Sequence, residues 1–386
     1  MPRKRPSERP DGKPGREDKS GAAGAPASEK SLEALRAEVD AVDDGILDLL
    51  DRRARTAKAI GKLKASDRAS FYDPRREREI YERIEAANEG PLPGPSLRAI
   101  WREIMSASLA LEQPAPIAYF GPPGTFTHQA ARAKFGTSVG YLPERTIPEV
   151  FAAVENGRAQ FGVVPIENST EGPVNVTIDM LAETSLRVVG EAYLPIHLAL
   201  LGRGPISAVR RVYSHAQALG QARRYLAANL PEAEVREAAS TIAAVETAAV
   251  ERGAAAIASE LAAEGRDVEV LARRIQDSAD NETRFFVVGR EPVGRSGRDK
   301  TTMMVSIKDE VGALHSMLSA FRDRGVNLTS IHSRPSRRRA WDYVFFLDCE
   351  GHLEDENVKG VIATLESRMR HVQILGAYPA AAAAAD

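Results

Sequence analysis

Residues 31–66, SLEALRAEVDAVDDGILDLLDRRARTAKAIGKLKAS, decide the first part of the fold. Leu32, Leu35, Val39, Val42, Ile46, Leu50, Ala57, Ile60 and Leu63 recur at three- and four-residue steps, the period of one helix face. Gly45 costs about 1 kcal/mol relative to alanine but does not end the pattern. A straight helix of this length spans about 50 Å, too long to pack within a domain of its own size. The stripe needs something to lie along, and a second chain is the natural candidate. Just downstream, Asp73-Pro74 predicts a second helix, an N-cap residue followed by proline at the first helical position. EGPLPGPS (89–96) breaks it, and a third helix is expected from about Leu97 to Leu111. Pro114 and Pro116 close an all-α domain over residues 29–115.

Beyond Pro116 the texture changes. IAYFG (117–121), FGVVPI (161–166), RVVGEAYLPIHLALLG (187–202), RVYS (211–214), AAIAS (255–259) and RFFVVG (284–289) read as strands, with helical patterns between most of them. That predicts a two-lobed α/β domain over residues 116–293. After the linker GRSGRD, the order is strand (301–308), helix (312–324), strand (326–334), strand (342–351), helix (355–369), strand (372–379). This is the split βαβ order of an α+β ferredoxin-like domain, over residues 299–380. Residues 1–28 are proline, glycine, alanine, serine and charge, which predicts a disordered tail.

The chain of 386 residues is of a length for two or three domains, and 43% apolar with 27% charged residues is ordinary globular composition. Lysine and arginine number 52 against 54 acidic residues, so no basic field exists to hold nucleic acid or an anionic membrane. The single cysteine, Cys349, excludes a disulfide framework and a cysteine zinc site. No apolar run approaches the roughly 20 residues of a membrane span. The amino-terminal residues lack the apolar stretch of a secretory signal, and Glu8, Asp11, Glu17 and Asp18 argue against a transit peptide. A cytoplasmic location is expected.

Charged and polar residues gather on the predicted helices. Arg53 and Lys64 are eleven residues apart, about 20° past three full turns, and share a face. Asp73, Arg76 and Glu77 are related by i,i+3 and i,i+4, and Ser108 and Glu112 by i,i+4. Spacing alone leaves open that these are solvated charges and that Asp73 is only a cap. The strings at 35–65, 72–80 (YDPRREREI) and 100–113 (IWREIMSASLALEQ) resemble the all-helical chorismate mutase domain. The resemblance implies Arg36 and Arg53 on the substrate carboxylates, Lys64 on the ether oxygen and Glu77 on the ring hydroxyl. Asp73, Arg76, Ser108 and Glu112 fall on the same family site. The chain departs at Glu112, where some members carry glutamine; a carboxylate donates no hydrogen bond unless protonated. Arg36 and Arg53 lie 17 residues apart, about 25 Å along a straight helix. If both are ligands, Arg36 serves the site of another chain, which predicts a homodimer or a higher assembly with shared sites.

In the α/β segment, four polar stretches stand where strands meet loops. GPPGTFT (121–127) carries Thr125 at a helix start, where backbone donors favour an anion. Glu167, Asn168 and Ser169 follow one strand, Ser214 and Gln221 another, and Thr283 and Arg284 open a third. Each alone is more often a turn or a cap than a site. Together GPPGTFT, VPIENSTEG (164–172), SHAQALGQ (214–221) and Thr283-Arg284-Phe285 resemble prephenate dehydratase. The resemblance implies Thr283 as proton donor to the leaving ring hydroxyl while carbon dioxide departs. It also implies that Glu167, Asn168, Ser169, Ser214 and Gln221 position the substrate and that Arg284 holds a carboxylate. Ala216 stands where proline is common. No metal or organic cofactor is called for; His128, His215 and His315 lack a ligand spacing.

Residues 301–379 resemble an ACT regulatory domain, with Gly312, Ala313, Leu314 and His315 as one motif and Ile331, His332, Ser333, Arg334 and Pro335 as the other. In the dehydratase family such motifs form a phenylalanine site at a domain pair; the second usually begins with glutamate, and here His332 stands in its place. Three resemblances in this order imply a bifunctional chorismate mutase and prephenate dehydratase, with chorismate and prephenate as substrates and phenylalanine as effector. Two alternatives stay open: a dehydratase whose helical domain only dimerises, and an amino-acid sensor without activity.

Overall fold

Proline and glycine punctuation sets the helix boundaries in the computed structural model, which describes residues 31–67, 73–112, 115–307, 310–335 and 343–381. The expected tail of residues 1–28 lies outside the described residues. The chain divides into two units between Asp51 and Arg52. Helix α1 (Leu32–Asp67) carries the first unit's described residues, and its apolar stripe is exposed from Leu32 to Leu50 and again at Ile60 and Leu63, with Ala57 buried between them. In the second unit, α2 (Pro74–Ala86) starts where the Asp73 side chain accepts a hydrogen bond from the Arg76 amide. Helix α3 (Gly94–Glu112) follows the broken segment and begins three residues before the expected start. A proline within the first helical turn gives up an amide that has no intrahelical partner there.

The α/β segment opens with β1 (Ile117–Phe120), α4 (Phe126–Phe135), β2 (Tyr141–Glu144), α5 (Ile147–Glu155) and β3 (Phe161–Asn168). The short β4 (Gly172–Pro173), α6 (Asn175–Glu183) and β5 (Arg187–Pro195) complete that lobe's outward run. The second lobe holds β6 (Ala199–Gly202), β7 (Arg211–Ser214), α7 (Ala216–Gly220), α8 (Arg223–Asn229), β8 (Glu234–Glu237), α9 (Thr241–Val250), β9 (Ala254–Ala258) and β10 (Glu269–Ala272). The chain then returns as β11 (Glu282–Gly289). The first sheet runs β2-β1-β3-β11-β5, with β4 on β3; the second runs β10-β6-β9-β7-β8. The stretch expected as one run over 187–202 is divided between the two sheets at Ile196–Leu198. There the crossing segments bind each other, Ile196 N to Asn281 O at 2.8 Å and Ile275 N to Leu198 O at 2.9 Å.

Strands β1 and β3 are parallel while β11 is antiparallel to β3. The carboxyl ends of β1 and β3 and the amino end of β11 therefore meet at one sheet edge, where α/β sheets hold ligands.

The last segment is β12 (Asp299–Ser306), α10 (Ala313–Arg322), β13 (Leu328–Pro335), β14 (Tyr343–Glu350), α11 (Glu356–Arg368) and β15 (His371–Pro379). Its sheet order β13-β14-β12-β15 is that of a ferredoxin-like fold. Met303, Val305, Phe345 and Leu347 pack with residues of α10 and α11, whereas Met304, Phe346 and Tyr378 continue the core of the first lobe. Both faces of β12 and β14 are buried, so these strands read as apolar runs, whereas the edge strand β13 alternates between half-buried and exposed residues.

Candidate active sites

The first site is a cavity of about 140 Å³ among α1, α2, α3 and the end of α4. Gly61 lets α1 and α3 approach: a Cβ there would stand 2.9 Å from the Glu112 Cα. One turn on, Lys64 Nζ lies 3.6 Å from Glu112 Oε2, an ion pair too long for a hydrogen bond. That carboxylate oxygen is buried with no hydrogen-bond partner among the described residues. Burial pushes the Glu112 carboxyl above its ordinary value, against the pull of Lys64 and Arg53. Arg53 Nη1 donates to Ser108 Oγ and, at 3.2 Å, to the Ile104 carbonyl, which also accepts from Ser108 at 2.8 Å. Burial lowers the Arg53 pKa and the Glu112 charge opposes it. Asp73, Arg76 and Glu77 complete the expected set on the wall. Arg76 pairs with Glu79 at 3.0 Å, and Asp73, besides lining the cavity, is the cap of α2.

Of the eight residues expected together, the structure brings seven to this cavity. Arg36 belongs to the other unit and is exposed. Sequence reasoning missed Tyr81, Arg102 and Lys134, which also line the wall. Tyr81 stands i,i+4 from Glu77 on α2, so helical spacing could have found it, whereas Arg102 stands six residues from Ser108 on α3, outside that spacing.

The second site lies between the lobes and is built from uncharged side chains. Asn168, at the end of β3, pairs with Thr283 on β11, and its Nδ2 donates to Thr283 Oγ1 at 2.8 Å and to Asn281 Oδ1 at 2.8 Å. Asn168 Oδ1 accepts from the amides of Thr170 and Glu171, both at 3.0 Å, which fixes which end of the amide faces Thr283. Thr283 Oγ1 is thus an acceptor, and no partner takes its own hydrogen among the described residues. Asn281 reaches across to the second lobe, where its Nδ2 donates to Gln221 Oε1 at 3.0 Å. Ser169 clamps the same loop, donating to Asp280 O at 3.1 Å and accepting from Glu282 N at 3.0 Å. Asn281 stands two residues before Thr283 in a stretch rich in polar side chains, and sequence reasoning passed over it. Thr125 caps α4, its Oγ1 accepting from His128 N at 3.3 Å.

Three of the expected substrate contacts have other partners in the structure. Arg284 is opposite Glu167 in the β11–β3 pairing, one residue on from Thr283 and Asn168. Successive strand residues face opposite ways, so neither can share the cleft with its neighbour. Arg284 is instead buried against the C-terminal domain, bonded to Glu191, Asp348 and, at 3.1 Å, Tyr378. Lys300 joins the cluster 3.0 Å from Glu191. Burial alone would lower the Arg284 pKa; Tyr378, Asp348 and Glu191 raise it well above its ordinary value. Glu167 faces the same way, its Oε2 3.5 Å from His332 Nε2. Ser214 is fully buried and donates to Ile257 O at 2.5 Å, so its hydroxyl fastens β7 to β9.

The two motifs of the C-terminal domain diverge in surroundings. Gly312, with φ +83°, caps α10, and Ala313, Leu314 and His315 form its first turn. On β13, His332 and Arg334 face the first lobe, Arg334 3.2 Å from Asp179 on α6, while the alternate residues Ile331, Ser333 and Pro335 are exposed. No helix among the described residues is long and apolar enough to cross a membrane.

Comparison with known proteins extends over nearly the whole chain. Family models match in succession: chorismate mutase type II over residues 35–113, prephenate dehydratase over 117–293 and the ACT domain over 301–367. The bifunctional chorismate mutase/prephenate dehydratase of Aquifex aeolicus is 46% identical over 357 residues, 91% of this chain and 99% of that one. Its counterpart from Stutzerimonas stutzeri is 42% identical and covers 91% and 98% of the two chains. A crystal structure of prephenate dehydratase from Arthrobacter aurescens in complex with L-Phe superposes with a TM-score of 0.64 at 34% identity, over 69% of this chain and 90% of that one. With this identity and coverage, the chain belongs to the family of bifunctional chorismate mutase/prephenate dehydratases.

Proposed function

We propose that the family's two reactions occupy the two sites described above, within the segments 29–115 and 116–293, with regulation by phenylalanine in 299–380. Rearrangement of chorismate to prephenate is unimolecular and needs no nucleophile or proton transfer. The first cavity suits it: Arg53 meets a substrate carboxylate, Lys64 meets the ether oxygen as the bond breaks, and Glu77 accepts from the ring hydroxyl. Asp73, Arg76 and Ser108 hold these groups in place. Glu112, when protonated, donates to the same ether oxygen as Lys64.

Prephenate then enters the polar cleft. The electron pair of its ring carboxylate bond moves into the ring as carbon dioxide leaves, and the ring aromatises as its carbon–oxygen bond breaks. The departing oxygen needs a proton, which Thr283 supplies and regains from water. The observation that supports this best is the Asn168 amide, which occupies the Thr283 oxygen as a donor and so turns its hydrogen toward another acceptor. Gln221, Asn281 and Ser169 keep the two lobes in register around the substrate, and Thr125 holds the helix start that faces it. Phenylalanine binds at residues 312–315 with 331–335 and lowers dehydratase activity from a distinct site.

The protein acts in the cytoplasm as a homodimer. A second copy covers the exposed stripe of α1 and receives Arg36 in its mutase cavity. Purified protein assayed with chorismate and separately with prephenate tests the reading. Lys64→Ala should abolish only the mutase, and Thr283→Ala only the dehydratase. Arg36→Ala and Lys64→Ala chains, unfolded and reassembled together, should recover roughly one quarter of wild-type mutase activity in a two-fold dimer. No recovery despite chain exchange would overturn the shared site; loss of both activities in either single-site variant would overturn the assignment.

A further inference from the structure

The mutase cavity has a wall that does not belong to the mutase helices. Lys134 and Phe135, the last two residues of α4, line it together with Glu77 and Glu112. Lys134 Nζ lies 3.4 Å from Glu77 Oε2, and neither side chain is more than about a quarter exposed, 22% and 17%. This is not a solvated surface pair.

The placement is specified on both sides. Gly136, which ends α4 at φ +77°, sits so close to α3 that a Cβ there would fall 2.5 Å from the Ser106 Cβ. Ser106 Oγ accepts from Ser138 N at 3.1 Å, and Glu103 accepts from Thr137 N at 2.8 Å and Thr137 Oγ1 at 2.6 Å. Burial would push the Glu103 carboxyl up; the Thr137 bonds hold it below its ordinary value.

Chorismate carries two carboxylates, and the acidic side chains Asp73, Glu77 and Glu112 share its cavity. A dianion there gains from each cation within reach. An ammonium has three donors, enough to hold Glu77 and to meet a substrate carboxylate at once.

We propose that Lys134, supplied by the dehydratase segment, is a substrate-binding residue of the mutase site. It keeps Glu77 aimed at the ring hydroxyl and takes one carboxylate of chorismate. The two sites then stand at opposite ends of one helix about 15 Å long, with Thr125 at the dehydratase end and Lys134 at the mutase end. Binding of chorismate thereby depends on a residue outside the mutase helices, a physical reason for the two activities to share a chain. The inference rests on reading this cavity as the mutase site.

The test uses the full-length protein with Lys134→Met, Lys134→Arg and Lys64→Ala, both activities being measured on each. Lys134→Met should raise KM for chorismate about tenfold or more, the loss of one charge-assisted contact. Dehydratase kinetics on the same chain should be unchanged, which also reports an intact fold. Lys134→Arg should restore most of the affinity. An unchanged KM in Lys134→Met, with Lys64→Ala inactive as a mutase, would reduce Lys134 to a tie between domains and overturn the proposal. Equal loss of both activities in Lys134→Met would do the same. Full mutase activity in Lys64→Ala would instead remove the reading on which it rests.

Discussion

In the first cavity, where we place the mutase reaction, charged side chains stand close without closing every bond: Glu112 keeps a buried oxygen with no hydrogen-bond partner among the described residues, 3.6 Å from Lys64. In the dehydratase cleft the opposite holds. Asn168, Asn281 and Gln221 form a chain of hydrogen bonds, Ser169 fastens the adjoining backbone, and the hydrogen of Thr283 is left without a partner among the described residues. The difference follows the chemistry. A rearrangement with charge developing on one oxygen gains from fixed charges held ready for it. A step that must deliver one proton gains from a neutral donor whose direction is fixed by its neighbours. Charge does appear near the cleft, but on the reverse face of the same strands, where Arg284 and Glu167 meet the C-terminal domain.

That separation of faces can be broken by mutation. The largest effect is expected from Arg284→Met, which strands Glu191 and Asp348 with Lys300 as the remaining cation of the cluster. Breaking such a buried arrangement costs about 3–5 kcal/mol, measured by denaturant unfolding. The conservative Arg284→Lys should lose stability and leave KM for prephenate unchanged; a raised KM with unaltered stability would return Arg284 to the substrate.

Next is Asn168→Asp. The carboxylate replaces a donor with an acceptor, so the Thr283 hydrogen turns inward. Dehydratase kcat should fall about 100-fold, the scale of a misplaced general acid, with the mutase unaffected. Steady-state kinetics of both activities on one preparation decides it, and an unimpaired kcat would end the proton-delivery reading.

The smallest effect concerns Glu112. Its pKa is raised by burial, and the protonated form is the one that donates. Mutase activity is therefore highest below that pKa and falls as pH rises through it, in a window above the ordinary value of 4.5. The decline approaches tenfold per pH unit at most, and Glu112→Gln should flatten it. The mutase pH–rate profile checks this, and a limb that persists in the variant belongs to another group.

Much of this protein was legible because its signals are local. The start of α2 at Asp73-Pro74 and the buried strands β3, β9 and β11 follow from caps and apolar runs. The strands that sequence reading passed over are β2, β8 and β10, which end their sheets, and the two-residue β4, which pairs with β3 off the main order. Tyr141–Glu144 contains a proline and Glu234–Glu237 is exposed throughout, since an edge strand needs neither two buried faces nor a full ladder. Local signals also brought Lys64 and Glu112 forward as candidates, but their approach required Gly61, whose importance is visible only against α3.

What the sequence by itself determined is the order of three segments, the period of each element and the residue types that the chemistry needs. It even contained the fact that Thr283 and Arg284, as strand neighbours, face opposite ways. Which of those faces becomes cleft and which becomes interface was decided by tertiary structure alone. The C-terminal sheet buries Met304, Phe346 and Tyr378 against the first lobe, and that burial takes Arg284 out of water, while Thr283 lies on the opposite face of β11 beside Asn168. Lys134 is the same case: its charge is evident along the chain, but only the docking of α4 on α3 carries it to another segment's cavity. Alternation and helical spacing are properties of a few residues, whereas the identity of the surface they meet depends on contacts between residues far apart in the chain.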